Sequence, residues 1–443
     1  VADVFLDGKV TLHRGNCLEV LPTLDENSID SVVCDPPYHL TSIVKRFGAD
    51  NAAPCKEGKT GAYARASAGF MGKQWDGGDV AFRPETWAEV YRVLKPGGHL
   101  LAFSGTRTYH RMACAIEDAG FEIRDQIGWC YGSGFPKSHD VSKGIDRMAG
   151  AEREKIATGK PVKRIIPGAD QNKQGWEKNN GREYVPGIEF TATEAAIQWQ
   201  GWGTALKPAW EPIVLARKPL SEKTVAENVL KWGTGAINVD GCRIGTGTGE
   251  PKPDYQPNNK NAVYGSGMGG GEWANTNGRW PANLIHDGSE EVLAGFPANA
   301  AGKDNFRHSA TSIYGSEGKD WEYNGDSKSS WGSAARFFYT AKADADDRLG
   351  SKHPTVKPLD LIQYLVRLIT PPGGLVLDPF AGTGTAGEAA FREGFKAVLI
   401  EREAEYQADI VKRMGLCLAG PDERRAASVK QESLTDLPMF AAL

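Results

Sequence analysis

The stretch Ile29-Asp30-Ser31-Val32-Val33-Cys34-Asp35-Pro36-Pro37-Tyr38 decides how this chain is read. Its first six residues, apolar and β-branched towards their end, predict a short buried strand. Two prolines then stop the ladder and lock the chain into one path. A carboxylate and a tyrosine ring are thereby held just beyond the strand's carboxyl end, where open α/β sheets bind ligands. Taken alone, Asp35 to Tyr38 also fit a Pro-Pro turn with a helix-capping Asp. The rest of the chain has to separate these two readings.

Outward from the turn, strand and helix signals alternate. Residues 9–13 predict a strand, followed by Gly15-Asn16-Cys17 and a short amphipathic stretch to Leu24. Residues 39–80 are rich in Gly and Ala, with little periodicity, and predict a mobile loop over the site. Residues 84–94 predict a helix with Pro84 in its first turn and Trp87, Val90, Tyr91 and Leu94 on one face. Lys95-Pro96-Gly97-Gly98 is expected to stop it. A strand at 99–103, a helix at 107–119 and a strand at 121–131 follow. This order predicts an α/β fold with a doubly wound, mostly parallel sheet.

The pattern breaks over 138–206, which is polar with a slight excess of basic residues. A strand returns at 211–217. Residues 219–335 are rich in Gly, Asn and Trp, with a helix expected near 221–231. Lys357-Pro358 then opens a helix with Leu361, Ile362, Leu365, Leu368 and Ile369 at helical spacing, ended by Pro371-Pro372-Gly373-Gly374. A strand at 375–377, a helix at 385–393, a strand at 397–400 and a helix at 404–414 complete the pattern. One α/β domain is therefore split around a large insertion.

Composition narrows the classes. With 443 residues, 40% hydrophobic and 24% charged, the chain matches a soluble globular protein with a sizeable core. No apolar run approaches the roughly 20 residues of a membrane span. No basic flank leads into an apolar signal core, so a cytoplasmic protein is expected. The seven cysteines are scattered without a Cys-x-x-Cys pair, against both a zinc site and a disulfide framework. A net charge of −4 gives no global pull towards nucleic acid, so any basic surface must be local.

A second constellation follows the strand at 375–377: Asp378-Pro379-Phe380-Ala381-Gly382-Thr383-Gly384-Thr385-Ala386-Gly387. Gly382-x-Gly384-x-x-Gly387 opens a helix, and Glu401 ends the next strand. That is the dinucleotide-binding pattern and, alone, suggests an NAD enzyme. The missing lysine argues against a nucleoside-triphosphate loop. Glycines give close backbone approach to a ligand, and an acid in the position of Glu401 can grip two ribose hydroxyls. Asp378 would repel a pyrophosphate but could pair with a charged amino group. This favours S-adenosylmethionine over NAD.

Together, Asp35-Pro36-Pro37-Tyr38, His353-Pro354-Thr355-Val356-Lys357-Pro358 and Asp378 to Thr385 resemble the amino-group DNA methyltransferases. The order, with the catalytic turn first and the cofactor loop last, is similar to the beta-class arrangement. Between 138 and 335, phrases such as Gly278-Arg279-Trp280-Pro281-Ala282-Asn283 are loosely similar to phage-like members. The resemblance implies site-specific methyl transfer from S-adenosylmethionine, leaving S-adenosylhomocysteine, to an exocyclic amine of a base flipped out of double-stranded DNA, as in restriction-modification. It divides the chain into a first catalytic part (1–137), a polar insertion with candidate DNA contacts (138–206) and a catalytic-domain strand (207–218). A target-recognition region (219–335), a second catalytic part with the cofactor loop (336–418) and a disordered tail (419–443) follow.

The implied roles suit the residues. An exocyclic amine is a poor nucleophile, because its lone pair is delocalised into the ring. The Asp35 carboxylate and the Pro36 carbonyl, held by Pro37, can accept its hydrogens and free that lone pair, while proximity supplies much of the rest. Tyr38 is expected to stack on the flipped base. No metal is required. The implied cofactor contacts are Asp378, Pro379, Phe380, Ala381, Gly382, Thr383, Gly384, Thr385 and Glu401, together with Asp35. Thr355 and Lys357, with His353, are expected near the cofactor's carboxylate, and Asn16 with Cys17 near its adenine. An acid opening the catalytic turn is typical of adenine enzymes, whereas cytosine-N4 enzymes more often carry Ser there. Adenine N6 is therefore the expected target and cytosine N4 the alternative.

Arg243, Arg279 and Trp280 are candidates for DNA contact, and Arg153, Lys155, Lys160, Lys163 and Arg164 form a basic cluster. A duplex site read from both strands would suit a homodimer. The end of the tail, Ser433-Leu434-Thr435-Asp436-Leu437-Pro438-Met439-Phe440, vaguely resembles sliding-clamp-binding peptides.

Overall fold

Ile29–Cys34 is a strand buried at every position, as suits a run with parallel neighbours and helices on both faces. It lies inside a ten-stranded sheet. The computed structural model describes residues 2–38, 79–132, 134, 138–159, 162–163, 170–172, 175–177, 183–184, 187–244, 278–296, 298–299, 332–333, 338–341, 346–351, 353, 355–420 and 422–427. The expected loop over 39–78, Lys160, Arg164, the Lys163 side chain and the clamp-like segment 433–440 lie outside them.

In chain order the strands of the sheet are β1 Ala2–Phe5, β2 Val10–Arg14, β3 Ile29–Cys34, β4 Leu94–Phe103, β5 Glu122–Cys130 and β6 Trp210–Arg217, then β7 Leu284–His286, β8 Tyr339–Thr340, β9 Leu375–Asp378 and β10 Lys396–Glu401. Across the sheet they run β1-β2-β10-β9-β3-β4-β6-β5-β7-β8. The helices are α1 Cys17–Val20, α2 Pro84–Val93, α3 Tyr109–Asp118, α4 Val141–Met148, α5 Glu194–Gln198, α6 Val225–Trp232, α7 Glu290–Leu293, α8 Leu359–Ile369, α9 Thr385–Arg392 and α10 Ala404–Gly415. On one face Leu361, Leu365 and Ile410 from α8 and α10 pack with Leu101, Phe103, Ile127 and Ile213. On the other, Trp87, Val90, Met112 and Ile116 from α2 and α3 pack with Val32, Leu100 and Val214. The predicted doubly wound α/β fold is present. No described helix is long and apolar enough to cross a membrane.

One expectation is refined and two are corrected. The first concerns strand direction. Most neighbours are parallel, including β2–β10, β10–β9, β9–β3 and β3–β4. However, β6 is antiparallel to both β4 and β5. Its amino end therefore lies beside their carboxyl ends.

The second concerns Lys95-Pro96-Gly97-Gly98. The helix does end at Val93, but these four residues belong to β4 rather than to a loop. The β3–β4 register shifts between Ile29 and Ser31, which accommodates the extra length of β4. The segment is tied down polar group by polar group. Lys95 pairs with Asp30 at 2.6 Å, and the Pro96 carbonyl accepts from Asn228 at 2.8 Å and Thr234 at 2.6 Å.

The third concerns the tail. Residues 422–427 are helical, and the buried Arg424 reaches the Glu388 carboxylate at 2.7 Å. Glu388 is fully buried and also holds Arg413 at 2.8 Å. A carboxylate so far from water needs cations around it, and the start of the expected tail supplies one.

Candidate active site

β3 and β9 are neighbours, with Val376 opposite Ser31 and Leu377 opposite Val32. From β9 the sheet grows towards β10, and from β3 it grows towards β4 in the other direction. The two carboxyl ends therefore meet where the strand order reverses, the usual ligand crevice of such sheets. The Asp-Pro-Pro-Tyr turn and the glycine loop, far apart in sequence, emerge side by side.

At the turn, Asp35 is already engaged. The Lys357 ammonium donates to its Oδ2 at 2.7 Å, and the Tyr38 hydroxyl donates to its Oδ1 at 2.8 Å. Lys357 also donates to the Tyr38 oxygen at 3.1 Å and pairs with Glu211 Oε2 at 3.2 Å. An ammonium has three protons, and here it has three acceptors. The Lys357 side chain is 7% exposed, and its charge sits 4.9 Å from the Phe103 ring centre and 5.4 Å from that of Tyr38. The Tyr38 carbonyl accepts from the Thr108 hydroxyl at 3.0 Å. Gly105 leaves room for the ring: a Cβ there would lie 3.2 Å from Tyr38 Cδ2.

The electrostatics follow from burial and pairing. Burial works against the charge on Lys357, but Asp35 and Glu211 outweigh it and hold the ammonium above its ordinary range. Burial raises Glu211, Lys357 opposes that rise, and Asp35 adds to it. Burial, then the charges of Asp35 and Glu211, push the Tyr38 phenol well above its usual value.

One strand away, the glycine loop leaves β9 at the buried Asp378, whose Oδ1 accepts the Phe380 N–H at 3.0 Å. Gly382 and Gly384 adopt positive φ, +52° and +79°, which bends the backbone back over the strand ends. The Gly382 N–H donates to Glu401 Oε2 at 2.8 Å, and the Glu403 N–H to Oε1 at 2.7 Å. Phe380 packs edge-on to Trp87 at 6.4 Å, and the buried Thr383 and Thr385 hydroxyls lie 3.3 Å apart. The Ala381 N–H donates to the Ile400 carbonyl at 3.0 Å. Burial raises Asp378 to about 8 against the pull of the Phe380 N–H, with Asp35 and Glu401 adding to the rise. Burial raises Glu401 to about 7 although the Glu403 and Gly382 N–H groups oppose it. Acids in this state gain from a cationic ligand, and Glu401 retains lone pairs for hydroxyls.

The other predicted residues are spread over the fold. His353 lies against the glycine loop, where a Cβ on Gly382 would be 3.4 Å from its Nε2, and its Nδ1 accepts the Thr355 N–H at 3.3 Å. Lys357 is on Asp35, not on the glycine loop. Asn16 caps α1 by accepting from the Leu18 N–H at 3.1 Å, and burial pushes the adjacent Cys17 thiol to about 11. Gly15, just before this pair, donates its N–H to the Glu401 carbonyl at the end of β10 at 3.0 Å. Arg243, Arg279 and Trp280 are brought together, with the Arg243 guanidinium 5.2 Å from the Trp280 ring and Arg279 paired with Ile244. The segment leading into Arg243 is held at the end of α8 remote from Lys357, where the Asn238 N–H donates to the Leu368 carbonyl at 2.8 Å. Of the basic cluster, Arg153 is engaged by Asp146 at 2.7 Å.

Two residues of this arrangement escaped the sequence reading. Glu211 is the second residue of an otherwise apolar strand, and it reaches Lys357 only because that strand is antiparallel. Arg413 is 1% exposed and braces the glycine loop, donating to the Thr383 carbonyl at 2.7 Å and the Asp347 carbonyl at 2.6 Å. Its only sequence signal is a charge within the apolar stripe of α10.

Known proteins bear on this arrangement. Residues 29–412 match the N6/N4 methyltransferase family, described as DNA methylase. The chain is 24% identical over 246 residues to the type II methyltransferase M.HindIII of Haemophilus influenzae, covering 51% of this chain and 64% of that protein. It is 38% identical over 68 residues to the type II methyltransferase M2.DpnII of Streptococcus pneumoniae, covering 15% of this chain and 25% of that one. The matches thus span less than two thirds of these relatives. A solved complex of M1.HpyAVI with SAM aligns over 92% of this chain and 100% of its own, at 14% identity and a TM-score of 0.37. The family match contains the Asp-Pro-Pro-Tyr turn, the Lys357 segment, the glycine loop and Glu401, so the chain belongs to the N6/N4 DNA methylase family.

Proposed function

We propose that the protein transfers a methyl group from S-adenosylmethionine to N6 of an adenine flipped out of double-stranded DNA at a specific site. The observation that carries this reading is the meeting of Asp35 with the acids of the glycine loop at adjoining strand ends. A buried carboxylate beside a tight glycine backbone suits an adenosine bearing an ammonium and a sulfonium better than one bearing phosphates. When bound, S-adenosylmethionine supplies an electrophilic methyl group.

The chain's residues do the rest. Asp378 neutralises the cofactor's positive charge, and Glu401 accepts from ribose hydroxyls. Glycine φ values at 382 and 384 permit close approach. Asp35, with the Pro36 carbonyl, accepts hydrogens of the target amine and stabilises the positive charge that develops on its nitrogen. Tyr38 exchanges its hydroxyl contact with Asp35 for stacking on the base. The acid opening the turn supports adenine. A two-fold pair on a symmetric duplex site belongs to this reading; a monomeric mass with and without DNA would remove it.

The test is to incubate protein, duplex DNA and S-adenosylmethionine and digest the product to nucleosides. N6-methyladenine is expected. N4-methylcytosine alone would reassign the base, and no methylated nucleoside would end the proposal. Thermal stabilisation by NAD but not by S-adenosylmethionine would point to a dehydrogenase instead.

A further inference from the structure

We propose that Glu211 is a positioning residue: it shares the Lys357 ammonium with Asp35, and so keeps on Asp35 the acceptor strength that methyl transfer needs. This rests on the methyltransferase reading above. Lys357 bridges the two carboxylates, at 2.7 Å from Asp35 and 3.2 Å from Glu211. Glu211 reaches it only because β6 runs antiparallel and presents its second residue at the carboxyl edge.

The charge count gives the reason. Asp35, Glu211 and Lys357 together carry one net negative charge. Without Glu211 the Asp35 carboxylate would be the one anion on the ammonium, and the centre would be neutral. In the transfer, the amine lone pair forms the N–C bond while the C–S pair leaves with sulfur as a neutral thioether. The nitrogen becomes cationic and then gives up one proton, through Asp35 to solvent. A centre with a net negative charge favours that cation, and a neutral one does not. In a buried site the difference is felt strongly.

The facing ionisable groups are Asp35, Cys34 and Tyr38 from β3 and its turn, Glu211 from β6 and Tyr131 beyond β5. Asp378 and Glu401 end β9 and β10, and Lys357 precedes α8.

The experiment uses the full chain and two readouts. In steady-state methylation, E211Q is expected to lower kcat by about tenfold or more, with cofactor Kd and KM for DNA changed less than about threefold. E211D should recover most of the lost rate. A purely structural Glu211 would lower thermal stability and leave kcat in place. The second readout is the Glu211 carboxyl 13C resonance in cofactor-free protein, assigned by its loss in E211Q. Its titration midpoint should rise in K357M and fall in D35N. A wild-type kcat in E211Q, or a midpoint unmoved by either substitution, would overturn the proposal. If the wild-type protein methylates nothing, the functional reading fails, while the carboxyl titration still decides whether Lys357 is shared.

Discussion

At the end of β3, Asp35 gives one carboxylate oxygen to the Lys357 ammonium and the other to the Tyr38 hydroxyl. One strand away, Asp378 is held by the Phe380 N–H, and Glu401 by the Gly382 and Glu403 N–H groups. The first acid has an internal cation, and the others have backbone dipoles. Burial raises Asp378 to about 8 and Glu401 to about 7. On the proposed reading, the difference divides the labour. The glycine loop draws its countercharge from the ligand. The turn keeps its own, and the incoming amine must compete with Tyr38 for Asp35.

The sharpest way to break this comparison is D35A. Methylation should fall at least about a hundredfold, with cofactor affinity nearly unchanged. Equal losses in both would mean that the two loops act as one ligand site. D378A should do the reverse and weaken S-adenosylmethionine binding by about 2 kcal/mol or more, as read by calorimetry.

The same acid predicts a pH effect. Its folded pKa lies above the unfolded one, so the folded protein binds more protons between them. Asp378 therefore lowers stability progressively as pH rises from about 4 through about 8. Melting of cofactor-free protein should show this decline, and D378N should remove part of it. S-adenosylmethionine should release protons on binding near neutral pH, detectable in buffers of different ionisation enthalpy. A smaller effect is expected for G384A, because φ is +79° and the new Cβ would lie 3.0 Å from Ile410 Cγ1. Its cost should be about 1–2 kcal/mol in chemical denaturation. A neutral result would mean that the loop can relax without its glycine.

The turn and the glycine loop were legible because their signals are local: prolines, glycines and acids at strand ends. The apolar spacing of Leu361 to Ile369 likewise located α8 to within two residues. What was not legible depends on strand direction and on distant partners. Read as one more parallel strand, β6 would carry Glu211 to the edge away from Asp35. Only its pairing with β4 and β5 reverses this. Lys357 sits in a recognisable phrase, but the phrase does not say which of two nearby carboxylates it serves. Lys95 to Gly98 has the composition of a stop, and becomes strand only because Asp30, Asn228 and Thr234 receive it.

The strand order has a consequence for synthesis. β9 and β10 lie between β2 and β3, so the strands from the earlier part of the chain leave a two-strand slot that only the last strands can fill. Domains tend to fold from the amino end as they leave the ribosome, but this one cannot close its slot until residue 401 has been made. Asp35 and Glu211 belong to the part that waits, and Lys357, Asp378 and Glu401 to the part that fills it. On the proposed reading, a nascent or truncated chain ending before Lys357 thus holds acceptors for an amine without the ammonium that poises them, and the reactive centre comes into being only as the last strands arrive.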